Sequence, residues 1–226
     1  MAGVKQKRFL AFDFETIADR TMLSCLPEVK ANGNLKDKAK IDADIAAKKQ
    51  KQILDMGLDP MLNLICAAGW KSKGGSGCLF IDSDGTPEGD KFAEKKLISD
   101  FWELLKDYDH FITFNGRSFD MRCLLLHGMQ YGVQPSIDID MYRYNRGNHI
   151  DMRLVLAGNE QFAKGKLDFF GKKYLGRGKK EGIDGALVQS YYDMGLFDDI
   201  KEYVEDDADL VYELCMMAIK AGLVVF

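Results

Sequence analysis

Histidine is scarce in this chain, and the three present (His110, His127 and His149) stand far apart. The five cysteines (Cys25, Cys66, Cys78, Cys123 and Cys215) are scattered, with no CxxC and no zinc spacing. A His- or Cys-built zinc centre is therefore excluded, and the cysteines read as reduced, mostly buried thiols of an intracellular protein. An excess of positive charge is also missing. The net charge is −4, so nothing pulls the whole molecule toward nucleic acid, and any such binding needs a local basic patch. No stretch approaches the roughly 20 apolar residues of a membrane span. The opening "MAGVKQKRFLAFDFE" has a basic start but lacks the uncharged apolar run of a signal peptide. No membrane association is expected, and the expected compartment is the cytoplasm. Internal repeats and low-complexity linkers are absent too.

What is present is ordinary for a soluble globular domain: 46% apolar and 29% charged residues over 226 positions. "RFLAFDFET" (8–16) reads as a strand with apolar side chains on both faces, hence central and covered. A charged stretch follows at about 33–60 and reads as one or two surface helices, stopped by Gly57 with Pro60 beyond. Strands are expected at 64–70, 77–82 and 110–116, and "SDGTPEGD" after the second of these reads as a loop. Helices are expected at 94–109 and 118–132, the latter with Ser118 as N-cap. "HIDMRLVL" is read as opening another helix. Residues 162–185 are basic and glycine-punctuated around a short helix, and 186–223 read as helical. The alternation predicts one α/β domain over 1–226, with a mixed central sheet flanked by helices and a charged helical insert at about 33–60.

The chemistry starts from "YVEDDADL". On a helix stepping 100° per residue, Ile200, Tyr203, Val204, Leu210, Val211 and Leu214 fall within about 60° of Asp207. Glu205, Asp206 and Asp209 fall on the far side or flank. Asp207 thus lies in the apolar stripe, where a carboxylate needs a Lys, an Arg, a backbone amide or a metal. Asp13 and Glu15 sit two apart on a buried strand and project from one face, toward the strand end where α/β sheets hold ligands. Asp120 follows the strand at 110–116 in the first turn of a helix, where it also suits the helix dipole. Four converging carboxylates would repel one another unless cations intervene. All-oxygen ligands suit Mg²⁺ or Mn²⁺, and two such ions about 3.5–4 Å apart form the clamp used in phosphodiester hydrolysis.

These residues carry a resemblance. "FDFET" resembles the D-x-E motif, "FNGRSFD" the N-G-x-x-F-D motif and "YVEDDADL" the Y-x-x-x-D motif of DEDD 3′–5′ exonucleases, which have an RNase H-like fold. Tyr203, four residues before Asp207, matches the tyrosine subclass. "HIDMRLVLAG", "KLDFFGKKYLG" and "KKEGIDGALV" are similar to segments of stand-alone relatives of the family-B DNA polymerase proofreading domain. The resemblance implies two divalent cations held by Asp13, Glu15, Asp120 and Asp207. Asp13 would bridge them, Asp120 would act through water, and Tyr203 would orient the attacking water. It implies a single-stranded DNA 3′ end as substrate and nucleoside 5′-monophosphates as products, with RNA as the alternative. A non-catalytic nucleic-acid-binding domain and an RNase H-type endonuclease are the other readings.

Candidate substrate contacts are Thr16, next to Glu15; Asn115, which equally suits a turn before glycine; and Phe119, as a wedge or as core. The run Lys164, Lys166, Lys172, Lys173, Arg177, Lys179 and Lys180 is the strongest local basic patch, read equally as a phosphate contact or a solvated loop.

Overall fold

The computed structural model describes residues 7–142, 147–158, 164–180 and 182–225. Residues 143–146, 159–163 and 181 of the mixed and basic segments, and the ends of the expected 1–226 domain, lie outside that description. Among the described residues, five strands form one sheet: β1 (Phe9–Ala18), β2 (Asn63–Ser72), β3 (Gly75–Phe80), β4 (His110–Thr113) and β5 (His149–Asp151). Their spatial order is β3-β2-β1-β4-β5. β1 pairs antiparallel with β2 and parallel with β4, so the sheet is mixed, as the sequence predicts.

β1 is central because both of its faces are apolar, and each face supports its own layer. Leu10, Phe12 and Phe14 point to helices α2 (Pro87–Leu105) and α3 (Asp120–Tyr131). There Phe101 packs edge-on against Phe12 at 5.1 Å and against Phe14 at 4.9 Å between centroids. Burying each such ring contributes on the order of 1.5–3 kcal/mol. Ala11, on the other face, joins Ile112, Met152, Phe170, Leu210, Val211 and Leu214 under helices α4 (Met152–Leu156), α5 (Leu167–Leu175) and α7 (Phe197–Lys220).

The charged insert is a single helix, α1 (Lys38–Gly57), preceded by a short 3₁₀ helix at Arg20–Cys25. It ends at Gly57, as expected, and its last carbonyl accepts from Thr16 Oγ1 at 2.6 Å and from Asn63 Nδ2 at 3.1 Å. These bonds tie the insert to the ends of β1 and β2.

Several boundaries differ from the sequence reading. Helix α2 begins at Pro87, inside the expected loop, because Thr86 accepts from Gly89 N at 3.0 Å and Pro87 suits a first turn. Ser118 does not cap α3. Its hydroxyl donates to Asn115 O at 3.0 Å and Asn115 Oδ1 at 2.7 Å, and the helix starts after Phe119. His149–Asp151 forms strand β5 before α4, rather than opening a helix. Three residues forming the edge strand beside β4 leave too short an alternation to read from sequence. The helical end of the chain is split into α6 (Val188–Asp193) and α7 by Gly195, at φ 73°.

Candidate active site

Strand pairing builds the site. β4 accompanies β1 only along Phe9–Ala11, so from Asp13 onward β1 runs past its parallel neighbour. The Phe14 amide loses its strand partner there, and Asp120 Oδ1 accepts from it at 3.0 Å. Asp120 thus supports the backbone between Asp13 and Glu15 while bringing a third carboxylate beside them.

On the other side of β1, Asp13 lies opposite Gly69 and Glu15 opposite Ala67. Small residues there let α7 sit directly on the sheet. A Cβ at Gly69 would lie 2.4 Å from the Val204 carbonyl oxygen, so only glycine permits this approach. The close crossing brings Asp207 down onto the D-x-E pair. Asp13, Glu15 and Asp207 each offer a carboxylate oxygen, and these lie within 4.8 Å of one another.

The face of α7 follows the 100° reading. Tyr203, Val204, Asp207, Leu210, Val211 and Leu214 are buried, with Asp207 fully enclosed. The acids on the flank are not idle: Arg177 bridges Asp206 at 3.1 Å and Asp209 at 2.7 Å, and Lys71 also meets Asp209 at 2.9 Å.

The answer to the buried Asp207 is a lysine that sequence alone left in the basic run. Lys179 Nζ makes an ion pair with Asp207 Oδ2 and donates to Tyr203 Oη at 2.6 Å. Its ammonium also lies 4.7 Å from the Tyr203 ring centroid. The loop carrying it is pinned where the Lys179 amide donates to Asp168 Oδ1 at 3.1 Å, in the first turn of α5.

One ammonium does not balance four carboxylates. Burial first, and then Asp120, pushes the Asp13 carboxyl up to about 7. Burial, and then Asp13, pushes Asp207 up to about 7 against the pull of Lys179. Asp120 also rises to about 7 through burial, although backbone amides oppose this, and Glu15 is held well above the usual range by burial and by Asp13 and Asp207. Both Asp207 oxygens are buried without a partner in hydrogen-bond geometry among the described residues, the Lys179 contact being ionic. A site of hard oxygen donors with surplus negative charge fits divalent cations of the Mg²⁺ or Mn²⁺ type.

Tyr203 is almost wholly buried, and Lys179 meets both its hydroxyl and its ring. Burial, then Asp207 and Glu15, raises its phenol above the ordinary value, so it stays protonated.

The expected substrate contacts divide. Thr16 is buried, with its hydroxyl proton committed to Gly57 O. Asn115 is the one non-glycine described residue at positive φ, 70°. Asp151 holds it there, accepting from the Asn115 amide at 2.9 Å and the Arg117 amide at 3.2 Å. Asn115 Oδ1 accepts from Arg153 Nη1 at 2.7 Å. Phe119 packs against the core beneath the site. Of the basic run, Lys172 pairs with Asp168 and Lys180 with Glu202. With Arg177 committed to acids of α7 and Lys179 in the site, the patch is smaller than the sequence suggests. Lys179, Asp151 and Gly69 are the positions sequence reasoning did not assign. No local signal marks them, because each matters through a neighbour far away in the chain.

A family model described as "Predicted 3'-5' exonuclease related to the exonuclease domain of PolB" matches residues 84–220, which include Asp120, Lys179, Tyr203 and Asp207 but not β1. No curated protein matches the sequence. Among solved structures, the family B DNA polymerase from the hyperthermophilic archaeon Pyrobaculum calidifontis is similar, with a TM-score of 0.62 and 16% identity. The similarity covers 96% of this chain and 25% of the polymerase, so the chain spans about a quarter of that enzyme's length and shares its fold there. The mixed sheet flanked by helices is accordingly RNase H-like. Among the described residues, no helix is long and apolar enough to cross a membrane. The chain belongs to the family of predicted 3′–5′ exonucleases related to the exonuclease domain of PolB.

Proposed function

We propose that the protein is a metal-dependent 3′–5′ exonuclease of the tyrosine subclass that removes nucleoside 5′-monophosphates from single-stranded DNA 3′ ends. The observation that carries this reading is the meeting of Asp13, Glu15 and Asp207 within 4.8 Å, with Asp120 beside them. Asp13, Glu15 and Asp207, with Asp120 beside them, would hold two divalent cations. When bound, these cations supply Lewis acidity for water and neutralise charge on the phosphate and the leaving oxygen.

The chain's own groups do the rest. The Tyr203 hydroxyl accepts from Lys179 Nζ and so keeps its own proton for orienting the attacking water. A protonated phenol is a positioning group rather than a base. Lys179 stands beside Asp207 and supplies positive charge near the terminal phosphate. The loop at Asn115, its backbone amide held by Asp151 and its Oδ1 by Arg153, turns the side-chain Nδ2 to the penultimate nucleotide, and Thr16 and Phe119 lie by the same strand end. Hydrolysis joins the water oxygen to phosphorus and breaks the bond to the 3′ oxygen, which leaves with a proton.

The test is degradation of 5′-labelled and 3′-labelled DNA and RNA strands with Mg²⁺, Mn²⁺ or chelator. The reading expects stepwise shortening from the 3′ end, faster on DNA, metal-dependent, and absent on a circular single strand. Asp13→Ala and Asp207→Ala should each lower the rate about 10³-fold or more. Wild-type rates in both would refute it, and faster RNA decay would make it an exoribonuclease.

A further inference from the structure

The outer face of α5 has no part in the chemistry above. It carries Phe169 at 55% exposure and Tyr174 at 41%, alongside the exposed cations Lys166 and Lys173. Single exposed rings are common and need no explanation. These two are arranged. The Tyr174 ring lies parallel to the buried Phe170 ring, 6.3 Å between centroids and 4° between planes. Phe169 meets Phe170 edge-on at 5.4 Å. Lys173 Nζ sits 5.2 Å from the Tyr174 centroid and 5.9 Å from that of Phe169. Buried packing therefore holds two ring faces in water with an ammonium between them, and Lys166 at the helix start and exposed Lys164 just before it extend the positive charge.

The helix itself is tied to the site. Phe170 touches Phe114 at 6.0 Å, and Phe114 immediately precedes Asn115. At the other end, Asp168 of α5 holds the Lys179 amide. α5 is thus fixed to two walls of the acid cluster, and Phe169 and Tyr174 stand on the solvent side of the same helix. Ring faces interleaved with lysines match unpaired bases and phosphates. An acidic peptide would use the lysines but leave the rings wet.

We propose that the Lys164–Tyr174 face is a stacking platform for single-stranded nucleic acid, binding the nucleotides upstream of the 3′ end held at the acids. The inference rests on the exonuclease reading for its direction, but not for its binding readout.

Two measurements test it. In the first, a 20-nucleotide strand and a trinucleotide are compared as substrates for the wild type, Phe169→Ala and Phe169→Ala/Lys173→Glu. Loss of one stacked base predicts a KM for the long strand raised about fivefold or more, with kcat little changed. The trinucleotide, with few nucleotides upstream of the 3′ end, should show a smaller penalty. Phe92→Ala, an exposed phenylalanine at 78% on α2, serves as a remote control and should change neither. The second measures binding of a fluorescein-labelled 20-nucleotide strand to Asp207→Ala protein in chelator. Adding Phe169→Ala should weaken it by a similar factor, and Lys173→Glu should flatten its salt dependence. Unchanged KM and unchanged binding would overturn the proposal and leave the face to a protein partner. Equal loss on both substrate lengths would overturn it as well, by showing a structural defect. If the wild type degrades nothing, the exonuclease reading fails, and the binding measurement still decides the platform.

Discussion

The charge imbalance around Asp207 predicts how stability should respond to pH and metal. In metal-free protein its carboxyl rises from 3.8 to about 7. A folded-state value above the unfolded one means that the native state binds more protons between these limits. Stability therefore falls as pH rises through that window. Each unit is worth about 1.36 kcal/mol, so moving from about pH 5 to about pH 8 costs roughly 2–3 kcal/mol from this group. Asp13 and Asp120 titrate in the same range but do not triple the figure, since neutralising one carboxyl relieves the others. For a chain of this size about 1 kcal/mol moves Tm by about 2–4 °C, giving a fall of about 5–10 °C. Mg²⁺ or Mn²⁺ at about 100 times its Kd should return about 2.7 kcal/mol, and more at pH 8 than at pH 5, because the ligands must be ionised. Asp207→Asn removes the enclosed charge while keeping the shape. It should raise the metal-free Tm at pH 8 and abolish most of the metal-induced gain. The assay is differential scanning fluorimetry with chelator or metal across pH. A wild-type Tm indifferent to metal at pH 8, with Asp207→Asn melting no higher than wild type in chelator, would refute the reasoning.

Tyr203→Phe keeps the buried ring but removes the hydroxyl held by Lys179, so kcat should fall about 100-fold with little change in far-UV circular dichroism. Gly69→Ala should destabilise by about 1–3 kcal/mol in urea titrations and lower activity, because its methyl group would strike the α7 backbone rather than a movable side chain. The buried Glu94 on α2 accepts from Ile65 N at 2.6 Å, lies 2.6 Å from His127 Nδ1, and also bonds Tyr131; Glu94→Ala should cost about 3–5 kcal/mol by stranding these groups. Glu94 raises the His127 imidazole above 6.5 despite burial. That stabilisation is complete below about pH 6.5 and is lost as pH rises through the raised folded value, so a His127→Gln comparison should show its largest deficit in acid.

Much of this molecule is legible in the chain. Asp13 and Glu15 must share a face because strand side chains alternate, and Asp207 must share one with Leu210 and Leu214 because a helix turns 100° per residue. Those are local rules, and the structure obeys them. They also expose a buried carboxylate that needs a partner, but they do not name one. That Lys179, rather than any of its basic neighbours, enters the site was decided by the pinning of its loop to Asp168. That Asp120 caps the Phe14 amide follows from where β4 stops beside β1, a matter of register between segments about a hundred residues apart. β5 exists as a strand only because β4 offers it an edge, and Gly69 matters only because α7 crosses there. Periodicity fixes which way a side chain faces. What it meets depends on which distant segments pack together, and that energy appears only once the chain has closed its sheet and layered its helices upon it.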